Sequence, residues 1–240
     1  MIFEAKNITK SFKSRLVLRG VSVSFNVGEV VGILGPNGAG KTTLFSILTG
    51  IIKADTSEIK LGERDITNLK IHERGRAGIV YLPQDSSIFR GLSVEDNIKS
   101  VLQITYSSKD EIEERLNRLL DAFSLAHLRK SMAPFLSGGE RRKVEIARAL
   151  ATSPSYLMLD EPFSGIDPIS VNEIISIIRN LKNSGIGVII TDHNVRETLQ
   201  VIDRGYIIAN GKILASGTAE EIANDEQAKA LYLGDNFRFF

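Results

Sequence analysis

The 240 residues include no cysteine and no tryptophan, and only three histidines. Without cysteine there can be no disulfide, no thiol nucleophile and no thiolate-bound metal, and the chain suits a reducing cytosol. His72, His127 and His193 stand far apart and lack the spacing of a zinc site. No apolar run approaches the roughly 18 residues that span a bilayer, so the chain is not expected to cross a membrane by itself. The N-terminal MIFEAKNITK has none of the blocks of a signal peptide. An excess of one charge is also missing. Lys and Arg number 30 against 29 Asp and Glu, for a formal net charge of +1. That excludes a global basic field for nucleic acid and an acidic tail. There is no internal repeat and no low-complexity tract. The length suits one large domain carrying a subdomain.

What is present alternates between two patterns. Ile2 to about Val27 alternates apolar and polar residues, which predicts antiparallel strands. VVGIL (Val30 to Leu34), GIVYL (Gly78 to Leu82), YLMLD (Tyr156 to Asp160) and GVIIT (Gly187 to Thr191) are short apolar runs of the kind found in buried parallel strands. From about Ser93 to Ala151 the pattern turns helical, with Ser93, Ser108 and Ser137 placed as N-caps. Strand and helix then alternate again, and Asn210–Gly211 predicts a tight hairpin. The expected fold is α/β: a core over 1–92 and 152–240 interrupted by a helical subdomain over 93–151, with an antiparallel β subdomain at the N-terminal end.

GPNGAGKT, Gly35 to Thr42, joins a predicted buried strand to a predicted helix and matches the phosphate-binding loop G-x-x-x-x-G-K-[ST]. In such a loop the glycines Gly35, Gly38 and Gly40 let backbone N–H groups curl around phosphate oxygens, and Pro36, Asn37 and Ala39 complete the loop. Lys41 reaches the β- and γ-phosphates, Thr42 offers a hydroxyl to Mg²⁺, and Thr43 opens the helix beside it. Asp160 ends an apolar strand, where ligands of open α/β sheets bind; it is expected to hold the metal. Glu161, the next residue, is placed to take a proton from the attacking water. LSGGE, Leu136 to Glu140, is a capping box with two glycines in its first helical turn. Each glycine there costs about 1 kcal/mol against alanine, which suggests a close approach of some ligand to this second helix N-terminus.

The phosphate loop, YLPQ ending in Gln84, LSGGE, YLMLDE, SGID and TDH occur in an order and at distances that closely resemble the nucleotide-binding subunits of ABC transporters. The likeness covers nearly the whole chain. It implies a P-loop NTPase core of RecA type, ATP and Mg²⁺ as ligands, and a head-to-tail homodimer with each ATP between one phosphate loop and the partner's signature helix. Ser137, Gly138 and Gly139 would then contact the γ-phosphate in trans. The resemblance further implies that Gln84 touches Mg²⁺ and the water, that His193 contacts the γ-phosphate, that Asp167 links the two active sites, and that Phe12 stacks on adenine. Gly165–Ile166 stands where the family often has Ala-Leu, and the ADTSEI stretch lacks the Pro and Gly of many relatives.

Within the family, YLPQDSSIFRGLSVEDNI, DPISV, ITDHNVRETL and the terminal YLGDNF resemble the lipopolysaccharide-export type. That implies two transmembrane partner subunits, location on the cytoplasmic face of the inner membrane through those partners, and no nucleic-acid partner. Ile88, Phe89 and Arg90 would line a groove receiving a short helix of the membrane subunit. Other readings are the ATPase of an importer, such as the branched-chain amino-acid type, and a soluble iron–sulfur assembly ATPase.

Overall fold

Two sheets and a helical layer position the site. In a computed structural model, which describes residues 1–234 and 237, the chain opens with β1 (Ile2–Phe12) and β2 (Arg15–Asn26), paired antiparallel. Then come β3 (Val30–Leu34), α1 (Lys41–Leu48), β4 (Thr56–Leu61), β5 (Arg64–Asp65), α2 (Ile71–Arg76) and β6 (Ile79–Leu82). The helical stretch holds α3 (Val94–Thr105), α4 (Lys109–Ala122) and α5 (Gly138–Leu150). After it run β7 (Tyr156–Asp160), α6 (Pro168–Asn183), β8 (Gly187–Thr191), α7 (Val195–Leu199), β9 (Arg204–Ala209), β10 (Lys212–Thr218) and α8 (Ala219–Asn224). Asp235 and Asn236 of the terminal YLGDNF lie outside the described residues.

One sheet is antiparallel in the order β2-β1-β4-β5, and the other runs β10-β9-β3-β8-β7-β6. In the second, β3, β8, β7, β6 and β9 are parallel, and β10 returns antiparallel on β9 through the Asn210–Gly211 hairpin. Every residue of β3, β7 and β8 is buried, as expected of strands covered on both faces. One face packs on α1 and the antiparallel sheet, through Leu44, Phe45, Ile47, Met158, Ile189, Phe3 and Phe25. The other face packs on α3 to α6 through residues such as Leu102, Leu116, Val144, Ile146 and Ile174. Fully burying side chains of this size contributes roughly 1.5–3 kcal/mol each.

The caps form where the sequence places them. Ser93 accepts from Asp96 N, Ser108 from Glu111 N and Ser137 from Glu140 N. The stretch from Ile51 to Ala77, unassigned from sequence, supplies β4, β5 and α2. There Arg74 is buried among main-chain carbonyls: its guanidinium donates to Ile47 O (2.7 Å), Leu48 O (2.6 Å), Leu69 O (3.1 Å) and Thr67 O (3.1 Å). A cation at the C-terminus of α1 meets the orphan carbonyls and the negative end of the helix dipole. It thereby anchors the helix whose other end carries the phosphate loop.

Candidate functional site

The loop from Gly35 to Gly40 joins the C-terminal end of β3 to α1. Gly35 has φ +143°, and a Cβ there would lie 2.1 Å from the carbonyl oxygen of Ile208. Gly40, at φ +109°, would press a Cβ to 2.8 Å from Leu18. These two glycines keep the loop tight against its neighbours. Lys41 Nζ donates to Gly35 O (2.6 Å) and Pro36 O (3.1 Å) across the loop. Burial lowers its pKa, against the pull of Glu161, Asp160 and Asp192. A cavity of about 270 Å³ opens over the loop, lined by Asn37, Gly38, Gly40, Lys41, Thr42 and Thr43 together with Asp160, Glu161 and Thr191.

Sheet register brings the acids there. Asp160, last in β7, sits opposite Thr191, last in β8. Asp160 is buried and accepts a hydrogen bond from the Tyr81 hydroxyl at 3.0 Å. Burial pushes its carboxyl above the usual value, with Tyr81 opposing. Glu161 emerges with φ +46°, a left-handed conformation uncommon for a non-glycine residue. Two side chains converge on its Oε2: Gln84 Nε2 donates at 2.7 Å, and His193 Nδ1 stands 3.1 Å away. Asp192, buried just before His193, accepts from Phe163 N (3.0 Å) and Asn194 N (2.8 Å), which fixes the turn carrying the histidine.

The N-terminus of α5 lies elsewhere. Gly138 lines a second cavity, about 210 Å³, with Gln84, Arg141, Arg142, Glu145, Gly165 and Ile166. Among the described residues, Glu161 alone lines both cavities. The glycines have partly different reasons from those expected. A Cβ on Gly139 would come within 2.2 Å of Ser170 Oγ, so packing of α5 against α6 already demands glycine there. Gly138 is less crowded, with Gly165 O at 3.3 Å as the nearest atom to a Cβ. Asp167 caps α6, accepting from Ile169 N, Ser170 N and Ser170 Oγ.

Comparison with known proteins accords with this geometry. Residues 18–164 match the ABC transporter family model. The chain belongs to the ABC transporter family. It is 54% identical, over 98% of both chains, to the lipopolysaccharide export system ATP-binding protein LptB of Escherichia coli K12. It is also 54% identical over 97% of its length, and 86% of the other's, to an uncharacterized ABC transporter ATP-binding protein of Rhizobium meliloti. The ATP-binding cassette MJ1267, solved in its ADP conformation, superposes with TM-score 0.87 at 32% identity, covering 98% of this chain and 99% of that one. The chain is thus a nucleotide-binding, ATP-hydrolysing ABC subunit with the α/β cassette fold. Among the described residues no helix is long and apolar enough to cross a membrane.

The cassette also holds residues that sequence reasoning passed over. Arg15 and Val17 of β2 line the nucleotide cavity; the alternation of β2 marked them only as strand positions. Phe12 is 48% exposed, with the Lys10 amine 5.5 Å from its ring, so it is a surface aromatic and not core. The segment after Gln84 is pinned from three sides. Glu145 Oε1 accepts from Ser86 Oγ (2.7 Å) and Ser87 N (2.7 Å). Asn97 accepts from Phe89 N (2.8 Å) and donates to Phe89 O (3.1 Å). Arg148 donates to Ser87 O (2.8 Å) and lays its guanidinium 4.5 Å from the Phe89 ring. This corrects the expected groove at one position. Ile88 is 8% exposed and belongs to the core under the helices, whereas Phe89 is 49% exposed and Arg90 is exposed beside it.

Proposed function

We propose that this cassette powers lipopolysaccharide export, as a homodimer held to the cytoplasmic face of the inner membrane by two transmembrane subunits. The near-complete alignment with the Escherichia coli export protein supports the substrate. The observation that carries the chemistry is the convergence of Gln84 and His193 on Glu161 at the rim of the phosphate cradle.

The residues suit a magnesium nucleotide. Thr42 and Asp160 share the cavity with Lys41, and the buried Thr191 hydroxyl beside them finds no hydrogen-bond partner among the described residues. Mg²⁺ is bound typically by one or two protein oxygens plus phosphates and water, not by an all-protein cage. When bound, it would neutralise charge on the β- and γ-phosphates. Loop N–H groups and Lys41 hold those phosphates. Glu161 Oε2, oriented by Gln84, accepts a proton from the attacking water, and His193 contacts the γ-phosphate. Ser137, Gly138 and Gly139 complete the site from the second copy, since the α5 N-terminus and the phosphate cradle open into different cavities. Asp167 links the two sites. Phe12 stacks on the adenine, and Phe89 with Arg90 receives the membrane subunit.

Purification of the chain from its native membrane tests the transport assignment. Recovery with two transmembrane subunits and bound lipopolysaccharide is the expected result. Recovery with the subunits of an amino-acid importer, or with a soluble scaffold, would overturn it.

A further inference from the structure

Phe135 is 85% exposed, and Phe12 and Phe89, the other exposed phenylalanines among the described residues, are about half covered. The backbone that carries it is fixed. Ala133–Phe135 forms one tight helical turn containing Pro134, and Phe135 N donates to Met132 O at 3.0 Å. On one side Ala133 is buried and donates its N–H to Leu92 O at 3.1 Å; on the other Leu136 is buried in the helical layer. A solvated aromatic therefore projects from a fixed stretch of backbone, two residues before the Ser137 cap of α5. Two residues span at most about 7 Å.

A nucleotide whose γ-phosphate lies on the α5 N-terminus must trail its sugar and base away from it, across the surface beside the cap. Aromatic side chains beside a phosphate site are stacking platforms for bases, because every base has a π-face. On the cradle side Arg15 and Val17 line the cavity, and the half-exposed Phe12, paired with Arg15 across the β1–β2 turn, offers a base one face just beyond that lining. We propose that Phe135 stacks on the purine ring of the nucleotide held by the phosphate loop of a second copy, so that Phe12 and Phe135, from different copies, clamp one base. The proposal rests on the shared-site reading above.

The absence of tryptophan makes a direct test available. Phe135→Trp, placed in the Glu161→Gln background, introduces a sole indole. Mg-ATP should quench its emission in step with dimer formation followed by light scattering, and Mg-UTP, with its smaller ring, should quench less at equal dimer content. Mixing a Phe135→Trp, Lys41→Ala chain with a Glu161→Gln chain should preserve the quench, because the purine sits on the partner. In turnover assays Phe135→Ser should raise KM for ATP about tenfold with kcat little changed, and Phe135→Trp should restore it. Dimers that form without quenching, together with an unchanged KM for Phe135→Ser, overturn the proposal. So does an unchanged KM with loss of the membrane subunits in a pull-down, which would assign the ring to that contact. If Glu161→Gln with Phe135 intact stays monomeric in Mg-ATP, the shared site itself fails and this inference falls with it.

Discussion

Glu161 is strained and only part-buried, whereas its neighbour Asp160 is buried at the end of β7. A left-handed φ on a glutamate is tolerated only where surrounding contacts fix it, and here Glu161 N donates to Thr191 O at 2.7 Å while Gln84 holds the side chain. Glu161→Gln keeps the shape but loses a proton acceptor. It should bind Mg-ATP as before, fall at least a hundredfold in turnover, and accumulate as an ATP-bound dimer by size exclusion. Full turnover would remove Glu161 from the chemistry. At Asp160 the pKa shift makes a stability claim. Burial raises the carboxyl above its ordinary 3.8, so the folded chain holds a proton that the unfolded chain releases. Stability therefore falls as pH climbs from the ordinary value through the raised one, and stays lower above it. Asp160→Asn removes that cost and can still accept from Tyr81. Its melting temperature at pH 7 should therefore rise, while hydrolysis is lost. The gap should close as pH falls below 3.8. A melt lowered at pH 7 would contradict this.

The segment from Gln84 to Leu92 acts as one element although it has no regular structure, because Glu145, Arg148 and Asn97 hold its backbone from two helices. Phe89→Ala should leave the isolated chain folded and able to bind ATP, with a nearly unchanged melt. It should weaken retention of the membrane subunits roughly thirtyfold, the loss expected for an aromatic at an interface centre. Normal retention would sink the docking role. Asn97→Ala should act differently, lowering the melt as well, since the Phe89 N–H loses a buried acceptor worth ~1–3 kcal/mol; an unchanged melt would show that water replaces the side chain. How much of this was legible differs by element. The apolar strands, the serine caps, the Asn210–Gly211 hairpin and the phosphate loop follow from local pattern, so their positions could be read directly. Ile88 and Phe89 could not be told apart, because a segment without periodicity gives no face. Arg74 was missed for a similar reason. Its charge points to solvent, and only the folded chain supplies the carbonyl ring that makes burial tolerable. Gly139 was legible as an anomaly but not in its cause, since Ser170 lies on a helix far along the chain.

Across the whole molecule, the phosphate cradle and the α5 N-terminus belong to different cavities joined through Glu161. Two copies would exchange what each lacks. A Ser137→Arg chain and a Lys41→Ala chain should each be inactive alone. Mixed, one composite site carries both lesions and the other none, so activity should return toward half of that of the native dimer if the sites fire independently. Failure to recover, with heterodimers proven by tagged capture, would argue for sites complete within one chain or strictly coupled. The sheet order has a different consequence. β6 is an edge strand, and it pairs directly with β7. The chain therefore leaves the sheet at the C-terminal end of β6 and, after α3, α4 and α5, re-enters at the opposite end of the neighbouring parallel β7, so the helical layer is a graft inserted between two border strands of an otherwise continuous sheet. Relatives could trade this graft for one that recognises another membrane subunit only by keeping its α5 contacts with the catalytic strands, such as Arg142 donating to Asp160 O at 3.3 Å. A viable chimera would have to carry the Ser86–Leu92 segment along with Glu145, Asn97 and Arg148, because the joint between sheet and graft is made there.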